Sequence, residues 1–424
     1  MKAVVLAAGE GVRMQPLTLT KSKHMLPVGR DPIIVHVLNS LRECRIRDAL
    51  LVVGYKQELI RNYLGDGSKF GIDLNYVVQE KALGTAHAIG LAKEYIGKED
   101  FLVIYGDLLV GPEAVKAILQ AHKSGGVATM GVVPVTQPEQ YGIVKLDENR
   151  VIDIIEKPRH DEASGNLVNA GIYVFSEEIF HAIERTQVSS RKELEVTDSL
   201  KLLIEAGAAI FAVQIDPTVW MDIGRPWDLL EANKRVLQRM ELSILGEVEE
   251  GACIVGPVGL GKDGRVRSGA YVEGPTWIGE ESDVGPNCYI RPYTSIGRKV
   301  RVGNACEIKN SIILSETRIG HLSYVGDSVI GERCNLGAGT ITANLRLNGK
   351  SIRISIGSEV VDSGRRKLGA FLGDEVKTAI HVSLMPGVKI GPRTWIGPNV
   401  TVYRDLPPDV LVLQRQELDY RKPE

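Results

Sequence analysis

Two glycines and a guanidinium follow the first apolar run of the chain, Leu6-Ala7-Ala8-Gly9-Glu10-Gly11-Val12-Arg13. Glycine lets backbone N–H groups approach phosphate oxygens closely, and an arginine beside them adds a charged fork. The spacing is not that of a Walker loop, and the third glycine of a dinucleotide fingerprint is missing. A carboxylate closes another apolar run, where Phe101-Leu102-Val103-Ile104-Tyr105 leads into Gly106-Asp107. A hard oxygen ligand at such a strand end suits Mg2+ bound to phosphate. Far along the chain, His321 lies in Gly320-His321-Leu322-Ser323-Tyr324-Val325-Gly326-Asp327 and offers a side chain whose ordinary pKa lies near neutrality.

The first cluster needs a sheet to hold it. Residues 2–6, 50–53, 74–78 and 101–105 read as strands, separated by helical patterns such as Ile33, Ile34, Val37, Leu38 and Leu41. This alternation predicts a parallel, doubly wound α/β sheet, whose ligands sit beyond the carboxyl ends of the strands. Gly9, Gly11 and Asp107 fall there.

The histidine belongs to a different architecture. Every sixth residue from Ile254 to Leu314 is Ile, Leu or Val, and a register of small or β-branched residues (Ala270, Thr276, Ser282, Cys288, Thr294, Val300, Cys306) precedes each following rung by two. Side chains two apart on a strand face the same way, so the pattern describes short strands of a hexapeptide β-helix, three to a coil. The ladder resumes at Leu372, Thr378, Leu384, Ile390, Ile396 and Val402. Between the runs the phase slips at the His321 segment, Asn335-Leu336-Gly337-Ala338-Gly339-Thr340 follows, and residues 343–369 leave the ladder altogether. An interruption in so regular a solenoid usually carries function.

The expected organisation is a nucleotide-handling domain over 1–225, a helical linker over 226–245, a β-helix over 246–405 and a tail over 406–424. A chain of 424 residues can supply each of two domains with a full core. Net charge is -2 with mixed signs, which implies no nucleic-acid surface, and no stretch is long enough for a signal peptide or a bilayer span, so a cytoplasmic protein without a membrane partner is expected. The five cysteines form no CxxC pair and no His/Cys cluster. Cys288 and Cys306, one coil apart, are expected to stack as buried free thiols.

With Lys21-Ser22-Lys23-His24-Met25-Leu26-Pro27-Val28 following it, the glycine loop resembles the signature of the sugar-1-phosphate nucleotidylyltransferases. Val12 stands where that family carries Thr or Ser, and Ser22 where it usually carries Pro. The resemblance implies that Arg13 and Lys23 are catalytic cations and that Asp107, with Asp222 in Trp220-Met221-Asp222-Ile223-Gly224, binds the metal. It also implies nucleotide and sugar contacts from Leu6, Ala7, Ala8, Gly9, Gly11, Gln79, Gly84, Thr85, Tyr105, Gly142, Glu156 of Glu156-Lys157-Pro158, and Asn169. The implied reaction is attack of a sugar 1-phosphate on the α-phosphorus of a nucleoside triphosphate, UTP or dTTP, with loss of pyrophosphate.

The ladder is similar to the left-handed β-helix of the hexapeptide acyltransferases, and the His321 region looks like the acetyltransferase domain of the bifunctional N-acetylglucosamine-1-phosphate uridylyltransferase/glucosamine-1-phosphate acetyltransferases. The resemblance implies a catalytic His321, an acetyl-acceptor site of Arg291, Lys309, Tyr324, Asn335, Asn344 and Lys350, and contacts to acetyl-CoA from Ala338 and Arg415. Leu345 replaces the Tyr that follows the family's Asn. Mg2+, acetyl-CoA as donor, an amino-sugar 1-phosphate acceptor and a homotrimer are implied with it. An alternative reading keeps only thymidylyl or uridylyl transfer to glucose 1-phosphate and makes the β-helix an oligomerisation module. Intact Arg13, Lys23 and Asp107 set the chain apart from the non-enzymatic regulatory subunits of a translation-initiation exchange factor that share this architecture.

Overall fold

The computed structural model describes residues 1–122, 126–157 and 165–423, so Pro158 of the Glu156-Lys157-Pro158 motif lies outside the described residues. The chain divides into two compact units, one of Met1–Glu10, Ser22–Leu26 and Pro32–Ile223, the other of Gly11–Lys21, Pro27–Asp31 and Gly224–Glu424. Two short N-terminal excursions are therefore counted with the second unit, a division that reading the chain as consecutive blocks does not foresee.

The first unit is built on β1 (Lys2–Ala7), α1 (Ile33–Glu43), β2 (Asp48–Val53), α2 (Gln57–Leu64), β3 (Asp73–Val78), α3 (Thr85–Gly90), β4 (Phe101–Tyr105), α4 (Pro112–Ala121) and β5 (Ala128–Pro134). It continues through β6 (Gly142–Asp147), β7 (Arg150–Glu156), β8 (Leu167–Phe175), α5 (Glu178–Arg185), α6 (Val196–Glu205) and β9 (Ile210–Gln214). The nine-stranded sheet has the order β3-β2-β1-β4-β8-β5-β9-β7-β6. β1 is parallel to both β2 and β4, and β2 to β3. β8, however, runs antiparallel to β4 and β5, and β7 antiparallel to β6 and β9. The sheet is mixed rather than wholly parallel: β6 and β7 form a tight antiparallel hairpin, whereas α5 and α6 lie between β8 and β9, and β9 runs parallel to β5. β1 reads as unbroken Ala-Val-Val-Leu-Ala because both faces are covered. Ala3, Val5 and Ala7 pack into one cluster with α1, while Val4 and Leu6 pack into another with α3 and α5.

The second unit contains α7 (Asp228–Leu237) and a solenoid of three parallel sheets with eight, nine and eight strands. The helix is shorter than the stretch expected over 226–245, because Ser243–Ile244 already pairs with Gly259–Leu260 as the first solenoid strand. Val266 lies over Val284 and Val284 over Val302, so that one coil takes eighteen residues. Ile254 is partly buried, and from Leu260 on the rungs are buried, nearly all of them in one continuous core that includes Cys288, Cys306 and Cys334, all free thiols. Each buried Val, Ile or Leu contributes roughly 1.5–3 kcal/mol, and the repetition rather than any single contact makes the prism stable.

The phase slip begins one rung earlier than the sequence suggests. Ile313, not Leu314, pairs with Ile296, and Ile330 pairs with Ile313 in turn, so two successive coils take seventeen residues each. The shortening falls at one edge of the prism, at the corners of Asn310 (φ 45°) and Asp327 (φ 52°). The next coil leaves at the same edge after Thr342, makes the hairpin Arg353–Ile356 with Glu359–Asp362, and returns at Phe371–Leu372 to pair with Val329–Ile330. Deletion, deletion and excursion thus stack on one corner.

Candidate active sites

In the first unit, the carboxyl ends of β1 and β4 meet where Leu6 pairs with Tyr105. Gly106 must be glycine, since a Cβ there would lie 2.9 Å from the Leu6 carbonyl and 3.1 Å from the His24 ring. Gly9 meets nothing of the chain within 4 Å of where its Cβ would stand, so the space above it is open to a ligand. Lys23 is buried and its Nζ is ion-paired with Asp107 Oδ2. Burial alone would raise the Asp107 pKa, but the Lys23 charge and hydrogen bond, together with His24, hold it below the usual carboxylate range. His24 is buried, bonds Ser22 Oγ through Nδ1 at 2.9 Å, and has its pKa lowered to about 4 by burial first and by Lys23 second.

Asp222 reaches the same edge on the short strand Trp220–Asp222, paired antiparallel with Leu108–Val110 so that Asp222 lies opposite Leu108. The Ile223 N–H donates to the Asp107 carbonyl at 3.2 Å. Two carboxylates at adjacent register positions are too few for a closed metal cage, and among the described residues no group of three or more His, Cys, Asp or Glu is placed to hold an ion. Two carboxylates do suit a divalent ion that takes its remaining ligands from substrate phosphates and water.

The residues expected around base and sugar gather along the same sheet. Gln79, at the end of β3, donates from Nε2 to the Gly84 carbonyl at 3.0 Å and meets His87 Nδ1 at 2.9 Å. Gly84 (φ 107°) lies against Leu194, where a Cβ would come 2.5 Å from its carbonyl oxygen. Thr85 Oγ1 accepts from Val196 N at 3.0 Å. Tyr105 Oη lies 3.3 Å from Tyr173 Oη, which accepts from Asn169 Nδ2 at 2.5 Å, and burial raises both phenol pKa values. Glu156 accepts from Thr197 Oγ1 at 3.3 Å and Arg191 Nη1 at 3.4 Å, with Gly142 packed on its carboxylate.

Sequence reasoning missed the stretch that completes this wall. Arg191 bridges Glu156 and Glu195, and Glu195 is buried, so burial first and Glu156 second raise its pKa. The alternating charges of Arg191-Lys192-Glu193-Leu194-Glu195 look like a solvated surface, and only the fold turns Glu195 inward.

Gly11 and Arg13 belong to the second unit. Gly11 adopts φ 65° as the cap of the turn Val12–Met14, its carbonyl accepts from Thr18 Oγ1 at 2.8 Å, and Arg13 stands exposed on the turn.

The interrupted corner of the solenoid forms a second polar cluster. Asp327 is buried, and its carboxylate accepts from Asn310 Nδ2 at 2.7 Å and Asn344 Nδ2 at 2.6 Å while facing Lys309 Nζ at 3.2 Å. Asn344 also donates to Tyr324 Oη at 3.0 Å, and burial, then Asp327, raises that phenol's pKa. Arg291 pairs with Glu307 at 2.8 Å on the neighbouring coil. Arg291 and Lys309 line one cleft of about 360 Å³ with Asn310 and Tyr293, closed by Lys234 and Glu231 of α7 and by Arg365 of the excursion. Asp327 and Lys234 were not singled out from the sequence, and Arg365 stood out there only as part of the basic triplet Arg365-Arg366-Lys367 of the excursion. The signal for Asp327 is the five-residue step between rungs Val325 and Ile330, legible only once the true register is known.

His321 is exposed at the end of strand Arg318–His321, on the edge where that face turns towards the Tyr324 face. Asn335 is exposed too, but it sits on the His321 face, between Arg318 and Lys377, rather than on the face that carries Tyr324. Lys350 is exposed in the excursion, and Arg415 lies in the exposed tail past the last strand, Leu411–Val412. The Gly337-Ala338-Gly339 corner is less free to donate than its composition suggests. Gly337 N is engaged by Thr378 at 3.0 Å and Gly339 N by the His321 carbonyl at 3.4 Å, while the Ala338 carbonyl accepts from His381 N at 2.8 Å.

A sheet edge with paired acids and a buried lysine, followed by a solenoid whose broken corner gathers cations, defines a transferase of two domains. Residues 2–239 match the nucleotidyl transferase family and residues 272–379 the GMPPB C-terminal domain. A relative from Methanococcus maripaludis, "Bifunctional protein GlmU", is 45% identical over 99% of this chain and 98% of its own length. A "Bifunctional sugar-1-phosphate nucleotidylyltransferase/acetyltransferase" from Sulfurisphaera tokodaii is 40% identical over 96% of this chain and 98% of its own. A solved Bacillus anthracis protein described as a glucose-1-phosphate thymidylyltransferase, in complex with a sucrose, matches with TM-score 0.51 and 30% identity over 57% of this chain and 97% of its own. The chain belongs to the nucleotidyl transferase family. Within it, the chain is a member of the bifunctional sugar-1-phosphate nucleotidylyltransferase/acetyltransferases. No helix among the described residues is long and apolar enough to cross a membrane.

Proposed function

We propose that this enzyme acetylates glucosamine 1-phosphate with acetyl-CoA at the solenoid and then transfers a uridylyl group from UTP to the resulting N-acetylglucosamine 1-phosphate, releasing pyrophosphate. The observation that carries the first step is the Lys309–Asp327–Asn344–Tyr324 network at the solenoid's interruption, beside a cleft that presents Arg291 and Lys309 to an anion. A solenoid serving only oligomerisation has no need of a buried polar network at that one corner.

In uridylyl transfer the nucleophile is already an anionic phosphate oxygen, so no general base is required. The chemistry needs in-line placement and neutralisation of charge. Lys23, held by Asp107, and Arg13 supply the cations, and the Gly9 and Gly11 backbone admits the phosphates. Asp107 and Asp222 would hold Mg2+, which supplies further charge neutralisation on the phosphates when bound. In acetyl transfer His321 takes the ammonium proton so that the amine attacks the thioester carbonyl, and the C–S bond then breaks to release coenzyme A, whose thiolate takes up a proton as the amide forms. The acceptor's phosphate sits against Arg291 and Lys309. Ala338 and Arg415 contact the acetyl-CoA, and Asn335 and Lys350 reach the acceptor across a homotrimer, a role that suits Asn335 because it lies on a different face from Tyr324.

The test is an assay offering glucosamine, galactosamine and glucose 1-phosphates with UTP or dTTP, with and without acetyl-CoA. Product from glucosamine 1-phosphate and UTP that depends on acetyl-CoA is expected. Turnover of glucose 1-phosphate alone, with no acetylation of any amino sugar, contradicts the proposal.

A further inference from the structure

Segment Ser22–Leu26, which carries Lys23, is counted with the first unit, yet the segments on both sides of it, Gly11–Lys21 and Pro27–Asp31, are counted with the solenoid unit. Each flank is fastened by buried polar contacts. On the near side Lys21 and Asp374 are 6% and 3% exposed, and Lys21 Nζ meets Asp374 Oδ1 at 2.9 Å and Glu332 Oε1 at 3.1 Å. Thr20 Oγ1 donates to Asp374 Oδ2 at 2.7 Å, and the Glu332 N–H donates to Asp374 Oδ1 at 2.8 Å. Asp374 itself follows Gly373, whose Cβ would come 2.7 Å from Pro392 N, so the corner that aims the carboxylate has little freedom. On the far side the Gly29 N–H donates to Asn233 Oδ1 at 2.9 Å, an oxygen that also accepts from Ser295 Oγ at 2.7 Å, while Asn233 Nδ2 donates to the Tyr293 carbonyl at 2.9 Å.

A buried lysine is tolerated only where its charge is met, and breaking such a pair by removing one partner leaves the other uncompensated. Lys21 therefore has one favourable place, fixed by Asp374. Only Ser22 separates Lys21 from Lys23, and Ser22 is buried and bonded to His24 Nδ1 at 2.9 Å, so a displacement of Lys21 is passed on towards Lys23. A misplacement of about 1 Å at reacting groups lowers turnover by as much as a hundredfold.

We propose that Asp374, a solenoid residue, is a positioning residue for nucleotidyl transfer, acting through Thr20 and Lys21 on the placement of Lys23. The inference rests on the assignment of Lys23 to that reaction, and loss of nucleotidyl turnover in Lys23→Met in the same assay tests that assignment separately. In the full-length enzyme, Asp374→Asn is expected to lower the nucleotidyl-transfer kcat at least tenfold while the KM for the sugar phosphate and the rate of acetyl transfer stay within about twofold of wild type. Lys21→Arg, which keeps a cation facing both acids, is expected to retain kcat within about threefold, and Lys21→Met is not. Thr20→Val, which removes one hydrogen bond and no charge, guards against a variant that fails to fold and is expected to lower the same kcat about threefold with acetyl transfer intact. The proposal is overturned by wild-type nucleotidyl turnover in Asp374→Asn. It is equally overturned if Asp374→Asn depresses both activities together while Thr20→Val leaves nucleotidyl turnover unchanged.

Discussion

Replacing Asp327 by Asn probes the polar cluster at the broken corner with almost no change of shape. The carboxylate has an acceptor on each side, Oδ1 for Asn310 and Oδ2 for Asn344 and Lys309. An amide keeps one acceptor and turns the other side into a donor, so either Asn310 or the Asn344–Lys309 pair faces N–H with N–H. A buried donor left unsatisfied costs about 1–3 kcal/mol. Breaking a fully buried ion pair costs about 3–5 kcal/mol. Lys309 is a fifth exposed, so that second figure is discounted and a total of about 2–4 kcal/mol is reasonable. The cost should fall locally, because Asn344 and Asp327 also fix the return of the excursion, through Leu368 N to the Asn344 carbonyl at 3.0 Å and Gly369 N to the Asp327 carbonyl at 2.8 Å. Amide exchange followed by mass spectrometry should show protection over 343–369 falling by roughly thirty- to several-hundredfold, at about 1.4 kcal/mol per tenfold. The acetyl-acceptor KM should rise at least tenfold as Lys309 loses its anchor. Unchanged protection together with unchanged KM would refute the view that Asp327 organises the site.

Three further outcomes follow from the same geometry. His24 has a folded-state pKa of about 4 against an ordinary 6.5, so between these values the unfolded chain binds a proton that the folded chain does not. Stability should therefore fall as pH drops through that window, by about 2–3 kcal/mol at pH 4.5 from this group, and His24→Asn should flatten the decline measured by urea denaturation. An identical decline in both proteins would contradict the burial argument. Asp107→Ala should abolish nucleotidyl transfer yet leave acetyl transfer and the far-ultraviolet spectrum unchanged, and persistent nucleotidyl turnover would remove Asp107 from the site. Arg291→Ala should raise the KM for the amino-sugar phosphate about tenfold or more with little change in the KM for acetyl-CoA, and an equal rise in both would place Arg291 outside the acceptor cleft.

The parts of the molecule governed by repetition were legible in the sequence. The Ile, Val and Leu ladder gave the solenoid rungs from Ile254 to Ile308 in register, because a buried position every six residues leaves no other way to sit on three faces. β1 to β4 were equally plain, each an apolar run between turn residues. What escaped depends on non-local pairing. Nothing in Leu167–Phe175 shows that it lies antiparallel beside Phe101–Tyr105, since a buried strand reads the same in either direction. The shift of the rung from Leu314 to Ile313 is invisible because both are aliphatic, and with it went the reason for Asp327. Glu195 and Lys234 carry no local mark at all, since a charged residue on a helix or loop is ordinarily solvated. Gly9 and Gly11 were informative through the loop they belong to, whereas the need for glycine at Gly106 and Gly171 is seen only in the structure, the latter with a prospective Cβ 2.6 Å from the Tyr105 ring.

The claim on which the account depends is that one chain runs two separable reactions, one at the end of a sheet and the other at the corner of a prism. Acetyl transfer and nucleotidyl transfer by His321→Ala, measured side by side on one preparation, test it most directly. The account predicts acetylation reduced at least a hundredfold, as expected for loss of a general base, with uridylyl transfer to N-acetylglucosamine 1-phosphate at the wild-type rate. Acetylation within tenfold of wild type, or an equal loss of both reactions, would contradict it.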